Sequence, residues 1–282
     1  MGTLTVGFLG AGQIGEPMVE RLLAAGHRVR LYARRPEVRG RLSAAGAQPV
    51  DEAADVAASD VVVSCLYSDA QMLDVLPEIV EAMDARTVLV SHTTGLPGTL
   101  DRLDTYAAGG RAAIVDASFS GTPDAVRAGR LVVYLGGDPG HLAPARQVVG
   151  AYARPVLTTG GRGSALHVKL LNNLLFAAIS QLTLRTLEAG RVLGVEDSAL
   201  LEALAAGSGG STAGRYITAR GGAEPFTATV TPYLRKDVAA CRAVAAEAGA
   251  DLTTLLAAAH DGPMRLGDPS TTRTERFDED HR

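Results

Sequence analysis

The stretch Leu4-Thr5-Val6-Gly7-Phe8-Leu9-Gly10-Ala11-Gly12-Gln13-Ile14-Gly15, running on into Glu16-Pro17-Met18-Val19-Glu20-Arg21-Leu22-Leu23, dictates how this chain begins to fold. A short apolar run reads as a buried strand, the glycines as a tight turn, and the spacing after Gly15 as an amphipathic helix. A second strand follows from Arg28 to Tyr32. A Gly-x-Gly-x-x-Gly triplet alone says little. Between a strand and a helix each glycine has its own mechanical role. Gly10 permits the turn, Gly12 lets a diphosphate approach the backbone, and Gly15 lets helix and strand pack closely. Unpaired N–H groups and the dipole at the helix N-terminus favour the anion. The turn Gly10, Ala11, Gly12, Gln13, Ile14 and Gly15 is therefore read as a dinucleotide site.

The residues after the second strand bear on which dinucleotide. A fold preferring NAD usually places Asp or Glu there to bond the ribose 2′-OH. Here the stretch is Leu31-Tyr32-Ala33-Arg34-Arg35-Pro36, with no acid before Glu37. Guanidinium groups fork onto phosphate and stack on bases. Ala33, Arg34 and Arg35 thus point to NADP as the preferred cofactor, with NAD as the second choice.

The repeat of elements sets the architecture. Strand patterns fall at Thr5–Leu9, Val29–Tyr32, Val61–Leu66, Val88–Ser91, Ala113–Asp116, Leu131–Leu135 and Pro155–Thr158. Helical patterns fall between them, near Ile14–Ala25, Pro36–Ala45, Ala70–Met83, Leu96–Ala107 and His141–Ala151. This is an α/β pattern, a Rossmann-type doubly wound parallel sheet, with its last strands joined too tightly for full helical crossovers and so partly mixed. Past Gly163 no strand pattern appears, and helical periodicity runs through Ala165–Leu193, Ser198–Ala206, Tyr233–Ala248 and Leu252–Asp261. The first would reach on the order of 40 Å and serve as a long interdomain helix. The expected domains are 1–162, dinucleotide-binding; 163–268, all-α, for substrate and oligomerisation; and 269–282, a charged tail without apolar periodicity, read as disordered.

Composition excludes several classes. A net charge of −4 with no basic run gives no reason to expect nucleic acid. The two cysteines, Cys65 and Cys241, are far apart, lack metal-ligand spacing and read as small buried hydrophobes. No metal is expected. No apolar stretch is long enough to span a bilayer and no signal peptide precedes the first strand, so a cytoplasmic protein is expected. Ser64, Ser118 and His92 lack a nucleophile-elbow pattern and are not read as a hydrolytic triad.

In Gly161-Arg162-Gly163-Ser164-Ala165-Leu166-His167-Val168-Lys169-Leu170-Leu171-Asn172-Asn173, Lys169 and Asn173 lie four apart and project from one helical face. Alone, the run suits a solvated lysine and polar residues closing a turn. Gly10-x-Gly12-x-x-Gly15 with Pro17-Met18, Asp116-x-x-x-Ser120-Gly121, Gly161-x-Gly163-x5-Lys169-x-x-x-Asn173 and Lys236-Asp237 occur in that order. Together they resemble the β-hydroxyacid dehydrogenase family, which includes 3-hydroxyisobutyrate dehydrogenases and tartronate semialdehyde reductases, with a 6-phosphogluconate dehydrogenase-type NAD(P)-binding domain. The likeness runs from Thr3 to about Leu266.

The resemblance implies an NAD(P)-dependent oxidoreductase interconverting a small β-hydroxy acid and its semialdehyde by hydride transfer, with Lys169 as general acid–base. It implies that Asn173 helps hold the substrate and the lysine, and that Ser120 and the Gly121 backbone bind the substrate carboxylate. Lys236 would lie near substrate and nicotinamide, and Leu66, Thr93 and Thr94 would touch the cofactor. Burial, or Lys236 nearby, would bring the Lys169 amine toward neutrality. Three positions depart from the family: Thr122, beside the carboxylate loop, where a second glycine is frequent; Tyr67 where a proline is common; and Arg35 where a small hydroxyl is. They touch substrate choice and leave the reaction class intact. One rival is an imine reductase-like NADPH enzyme, whose relatives typically carry Asp or Tyr where Lys169 stands. Another is a dinucleotide-binding protein without turnover, which would have no use for Ser120, Lys169, Asn173 and Lys236 together. Apolar helix faces left exposed, for instance at Leu170, Leu174 and Leu175 where these do not all turn inward, imply a homodimer or homotetramer.

Overall fold

The computed structural model describes residues 2–110 and 112–267. The tail expected at 269–282 lies outside the described residues. The chain forms two compact units, one ending at Lys169 and the next beginning at Leu170, so the division falls inside a helix.

In the first unit the strands are β1 Thr5–Leu9, β2 Arg28–Tyr32, β3 Gln48–Pro49, β4 Val61–Ser64, β5 Val88–Ser91, β6 Ile114–Asp116, β7 Phe119–Ser120, β8 Leu131–Gly136 and β9 Ala153–Gly160. The helices of this unit are α1 Gly15–Ala24, α2 Pro36–Ala44, α3 Asp69–Ala82, α4 Pro97–Leu103, α5 Pro123–Arg127 and α6 Pro139–Val149. The sheet runs β3-β2-β1-β4-β5-β6-β8-β7, with β9 on β8. It is parallel from β3 to β6, and then mixed. Both β6 and β7 meet β8 antiparallel, and β8 meets β9 parallel.

Alternation along the strands splits their side chains between two cores. Val6, Phe8, Val61, Val63, Val88 and Val90 face α1, α2, α5 and α6. Leu9, Val62, Leu89 and Ile114 face α3 and α4. Strands buried on both faces must be nearly all apolar, which is why β4 reads Val-Val-Val. Order along the sheet then brings the carboxyl ends of β1, β4, β5 and β6 to one edge, where Gly10, Cys65, His92 and Ala117 follow.

The second unit carries the remainder of α7 Ser164–Val192, then α8 Asp197–Ala206, α9 Thr212–Ala219, α10 Ala223–Ala248 and α11 Thr253–His260. Its core gathers Leu170, Leu174, Leu184, Ile217, Phe226 and Leu234 among others, so of the three α7 leucines expected on an apolar interface face Leu170 and Leu174 turn inward and Leu175 alone is exposed. Periodicity places neither the start of α10 nor α9. Helix α10 starts ten residues before the expected Tyr233 and runs through Pro232. An interior proline costs a helix about 3 kcal/mol. Burying Phe226 and Leu234 on either side of it offsets that, at about 1.5–3 kcal/mol each. Helix α9 carries no expectation from periodicity; it is started by Ser211, whose side chain accepts from the Gly214 N–H at 3.0 Å. Among the described residues no helix is long and apolar enough to cross a membrane.

Candidate active site

The turn from β1 to α1 is built as the glycine spacing requires. Gly10 has φ +87°, and a side chain there would strike the Cys65 carbonyl at 2.2 Å. A Cβ on Gly15 would lie 2.1 Å from the Gly10 carbonyl and 3.2 Å from the Phe8 ring. At Gly12 there is nothing within 4 Å. Two glycines are thus demanded by packing and one by open space, the arrangement a phosphate cradle needs. Ile14 stands at the N-cap of α1 and gives it no side-chain hydrogen bond, so the dipole end is open to an anion. These residues fit a dinucleotide.

A cavity of about 260 Å³ opens from this turn, walled by Gly10, Ala11 and Gly12, by Ala33, Arg34 and Arg35, and by Leu66 and Tyr67. Arg34 is exposed at its rim. Arg35 is turned back on the turn itself, its guanidinium donating to the Ala11 carbonyl at 3.0 Å. Burial pushes the Cys65 thiol, also in the wall, up to about 12, so it is protonated at neutral pH. Gln13, Ile14, Gly15, Thr93 and Thr94 do not line the cavity, although Thr93 donates to the Leu66 carbonyl at 3.1 Å and fixes that wall from behind. Sequence reasoning missed Gln71, Asp74 and Val75, one face of α3 that closes the cavity. Their spacing of three and four was the available signal. The Gln71 side chain also accepts from the Tyr67 N–H at 3.0 Å, holding the loop that carries Tyr67.

At the far end of the sheet edge, the Lys169 ammonium donates to Ser120 Oγ at 3.2 Å. The strand residue and the helix residue are 49 positions apart in sequence. Gly121 follows with φ +141°, a backbone conformation that a side chain would strain, and a Cβ there would meet Leu131 Cδ1 at 2.9 Å. Thr122 is exposed and its hydroxyl is used locally, accepting from the Ala125 N–H at the start of α5.

Asp116, at the end of β6, is fully buried. Its carboxylate accepts from the N–H groups of Gly163 at 2.7 Å, Ala165 at 2.8 Å and Leu166 at 3.0 Å. Burial raises the carboxyl above its ordinary value, and these donors work in the opposite direction. Next to it, His92 is buried between Ala117 and Tyr152. Its Nδ1 lies 2.5 Å from the Ala117 carbonyl and its Nε2 2.8 Å from the Tyr152 hydroxyl. A carbonyl only accepts, so Nδ1 carries the hydrogen and Nε2 accepts from tyrosine.

In the second unit, Asn173 is buried, and its amide donates to Asp237 Oδ2 at 2.6 Å. A carboxylate only accepts, so the NH2 end faces Asp237 and the carbonyl end receives the Asn172 amide at 3.0 Å. Lys236 Nζ lies 3.7 Å from Asp237 Oδ1. In the sequence Asp237 is only half of a Lys-Asp pair; in the fold it is buried and is the group that orients Asn173.

One signal was there to be counted. Among 27 basic residues only two are lysine, and they are Lys169 and Lys236. Every other cation is an arginine, which does not release its proton in a protein.

Residues 5–161 match the NAD-binding domain of 6-phosphogluconate dehydrogenase, and residues 163–261 match the NAD-binding region of NADP-dependent 3-hydroxyisobutyrate dehydrogenase. A 3-hydroxyisobutyrate dehydrogenase of Pseudomonas aeruginosa is 29% identical over 212 residues, which are 74% of this chain and 71% of that one. An NAD-dependent L-serine dehydrogenase of the same organism is 28% identical over the same shares. The fold is similar to that of Mycobacterium tuberculosis 3-hydroxyisobutyrate dehydrogenase with L-serine, at a TM-score of 0.79, 22% identity and 92% of both chains. It is also similar to a Streptomyces aurantiacus imine reductase, at 0.65, 18% identity, and 90% and 92% of the two chains.

Proposed function

This chain belongs to the β-hydroxyacid dehydrogenase family, and from that premise we propose that it interconverts a small β-hydroxy acid and its semialdehyde with NADP in preference to NAD. The observation that carries the reading is the contact between Lys169 and Ser120. A hydroxyl carbon gives up a hydride only as its oxygen gives up a proton, and the bound nicotinamide supplies or accepts that hydride. Lys169 exchanges the proton at the substrate oxygen. Ser120 Oγ accepts from Lys169, which leaves its own O–H, together with the Gly121 amide, to donate to the substrate carboxylate. The reading gives Asn173 to the substrate, and Lys236 to substrate and cofactor. Arg34 takes the 2′-phosphate, and Gly10 to Gly15 take the diphosphate. Exposed Leu171, Leu175 and Leu182 on α7 belong to the interface of a homodimer or homotetramer.

The test is a spectrophotometric assay with C3–C5 hydroxy acids, their semialdehydes and cyclic imines against both cofactors, repeated with Lys169→Ala. Turnover of hydroxy acids that falls by about two to four decades in the variant, with cofactor affinity unchanged, supports the reading. Turnover of imines alone favours a reductase of the other type. Cofactor binding with no turnover of any compound would leave a dinucleotide-binding protein.

A further inference from the structure

Three features of the sequence converge on the corner where α7 begins. Asp116 ends β6 with its carboxylate enclosed and accepting three N–H groups, from residues 47, 49 and 50 positions later. Gly163 supplies one of them from φ +90°, a conformation that a side chain would strain. Gly136 on β8 leaves room for the group. A Cβ there would lie 2.6 Å from Ser164 Oγ, 2.7 Å from Asp116 Oδ1 and 2.8 Å from the Gly161 carbonyl. The Ser164 hydroxyl is in turn paired with Thr159 at 2.8 Å, and Thr159 is tied to the Leu135 carbonyl.

A carboxylate at a helix N-terminus is ordinary capping when it comes from the residue just before the helix. This one comes from a strand far away in sequence, and the same strand leads to Ser120 four residues on. From Leu166, the last amide held, Lys169 is three residues along a rigid helix. One side chain therefore fixes both ends of the Lys169–Ser120 contact. We propose that Asp116 is a positioning residue, anchoring the first turn of α7 to the end of β6 so that the Lys169 ammonium is held against Ser120. The proposal rests on the reading of Lys169 as the acid–base group.

The scarcity of lysine provides a direct test. Protein labelled with 13Cε-lysine gives two side-chain signals, Lys169 and Lys236, assigned with Lys236→Arg. Asp116→Asn replaces an acceptor of three N–H groups by an amide that accepts through one oxygen. The expected result is a moved Lys169 signal with a moved titration midpoint, an unmoved Lys236 signal, and unchanged NADPH affinity. Where the parent turns over a hydroxy acid, kcat falls on the order of a hundredfold, as a shift of about 1 Å in a reacting group costs, and KM changes little. Gly163→Ala strains the same corner while leaving the carboxylate in place, and is expected to move Lys169 in the same sense. A parent without turnover refutes the reading of Lys169 but leaves the resonance test standing. Folded variants with the parent's Lys169 signal and titration overturn the proposal. So does failure of both variants to fold, since the carboxylate would then serve stability alone.

Discussion

His92 makes the stability of the first unit depend on pH in a calculable window. Enclosure of the imidazole between Ala117 and Tyr152 holds it neutral and brings its pKa from the ordinary 6.5 to about 4. Desolvation is the larger cause; the bond to the Ala117 carbonyl opposes it. Below pH 6.5 the unfolded chain binds a proton here and the folded chain does not, so stability is lost as pH falls through that window and the loss is complete near pH 4. Two and a half pH units at about 1.4 kcal/mol each give about 3 kcal/mol, a large share of an ordinary domain's stability. His92 also ties the loop after β5, with Thr93, to the loop after β6, which leads to Ser120. The assay is urea unfolding followed by circular dichroism at several pH values from 7 to 4, for the parent and for His92→Gln. Glutamine keeps a donor and an acceptor and does not titrate. The parent is expected to lose about 3 kcal/mol more than the variant over the window. Parallel lines for the two proteins would refute the reasoning.

Other outcomes follow from the same geometry. Arg34→Asp should reverse the ratio of catalytic efficiencies with NADP and NAD, since an acceptor for the ribose hydroxyls replaces a cation at the rim; equal efficiency with both cofactors in the parent removes that argument. Gly12→Val should abolish dinucleotide binding with the melting temperature nearly unchanged, because the new side chain fills open space. Gly15→Ala should lower the melting temperature as well, because its Cβ must displace the Gly10 carbonyl; calorimetry with and without cofactor separates the two. Light scattering at micromolar concentration should return a multiple of the chain mass, and a single chain mass would count against the apolar face of α7 as an interface.

The glycine turn was legible residue by residue, because each constraint there is local and steric. β4 and β5 were legible because a strand buried on both faces has almost no freedom of composition. Lys169 and Ser120 came from ordered motifs, and no local rule brings them together. Asp116 was visible only as a letter in a motif; its work depends on amides 47 to 50 residues away, a separation that periodicity does not reach. Pro232 concealed ten residues of helix, since the burial that offsets an interior proline belongs to the tertiary fold. Asp237 passed as half of an ion pair for the same reason, its partner Asn173 being 64 residues earlier.

The scarcity of lysine has a physical meaning. Arginine carries ion pairs across the described residues, among them Arg39–Asp51, Arg41–Glu16, Arg162–Asp104, Arg185–Asp261 and Arg191–Asp197. Arginine presents a wider fork and a charge that persists at any physiological pH, which suits surface pairing and phosphate contacts. That persistence disqualifies it where a proton must leave and return. On the proposed reading, Lys169 stands where a proton leaves and returns, which a guanidinium cannot do. The side chains of Lys169 and Lys236 meet Ser120 in one unit and Asp237 in the other. Asp116 sets the first by holding the helix from its N-terminus, and Asp237 sets the face of α7 one turn later by holding Asn173. Both anchors are buried aspartates whose partners are N–H donors, so each fixes a direction as well as a distance.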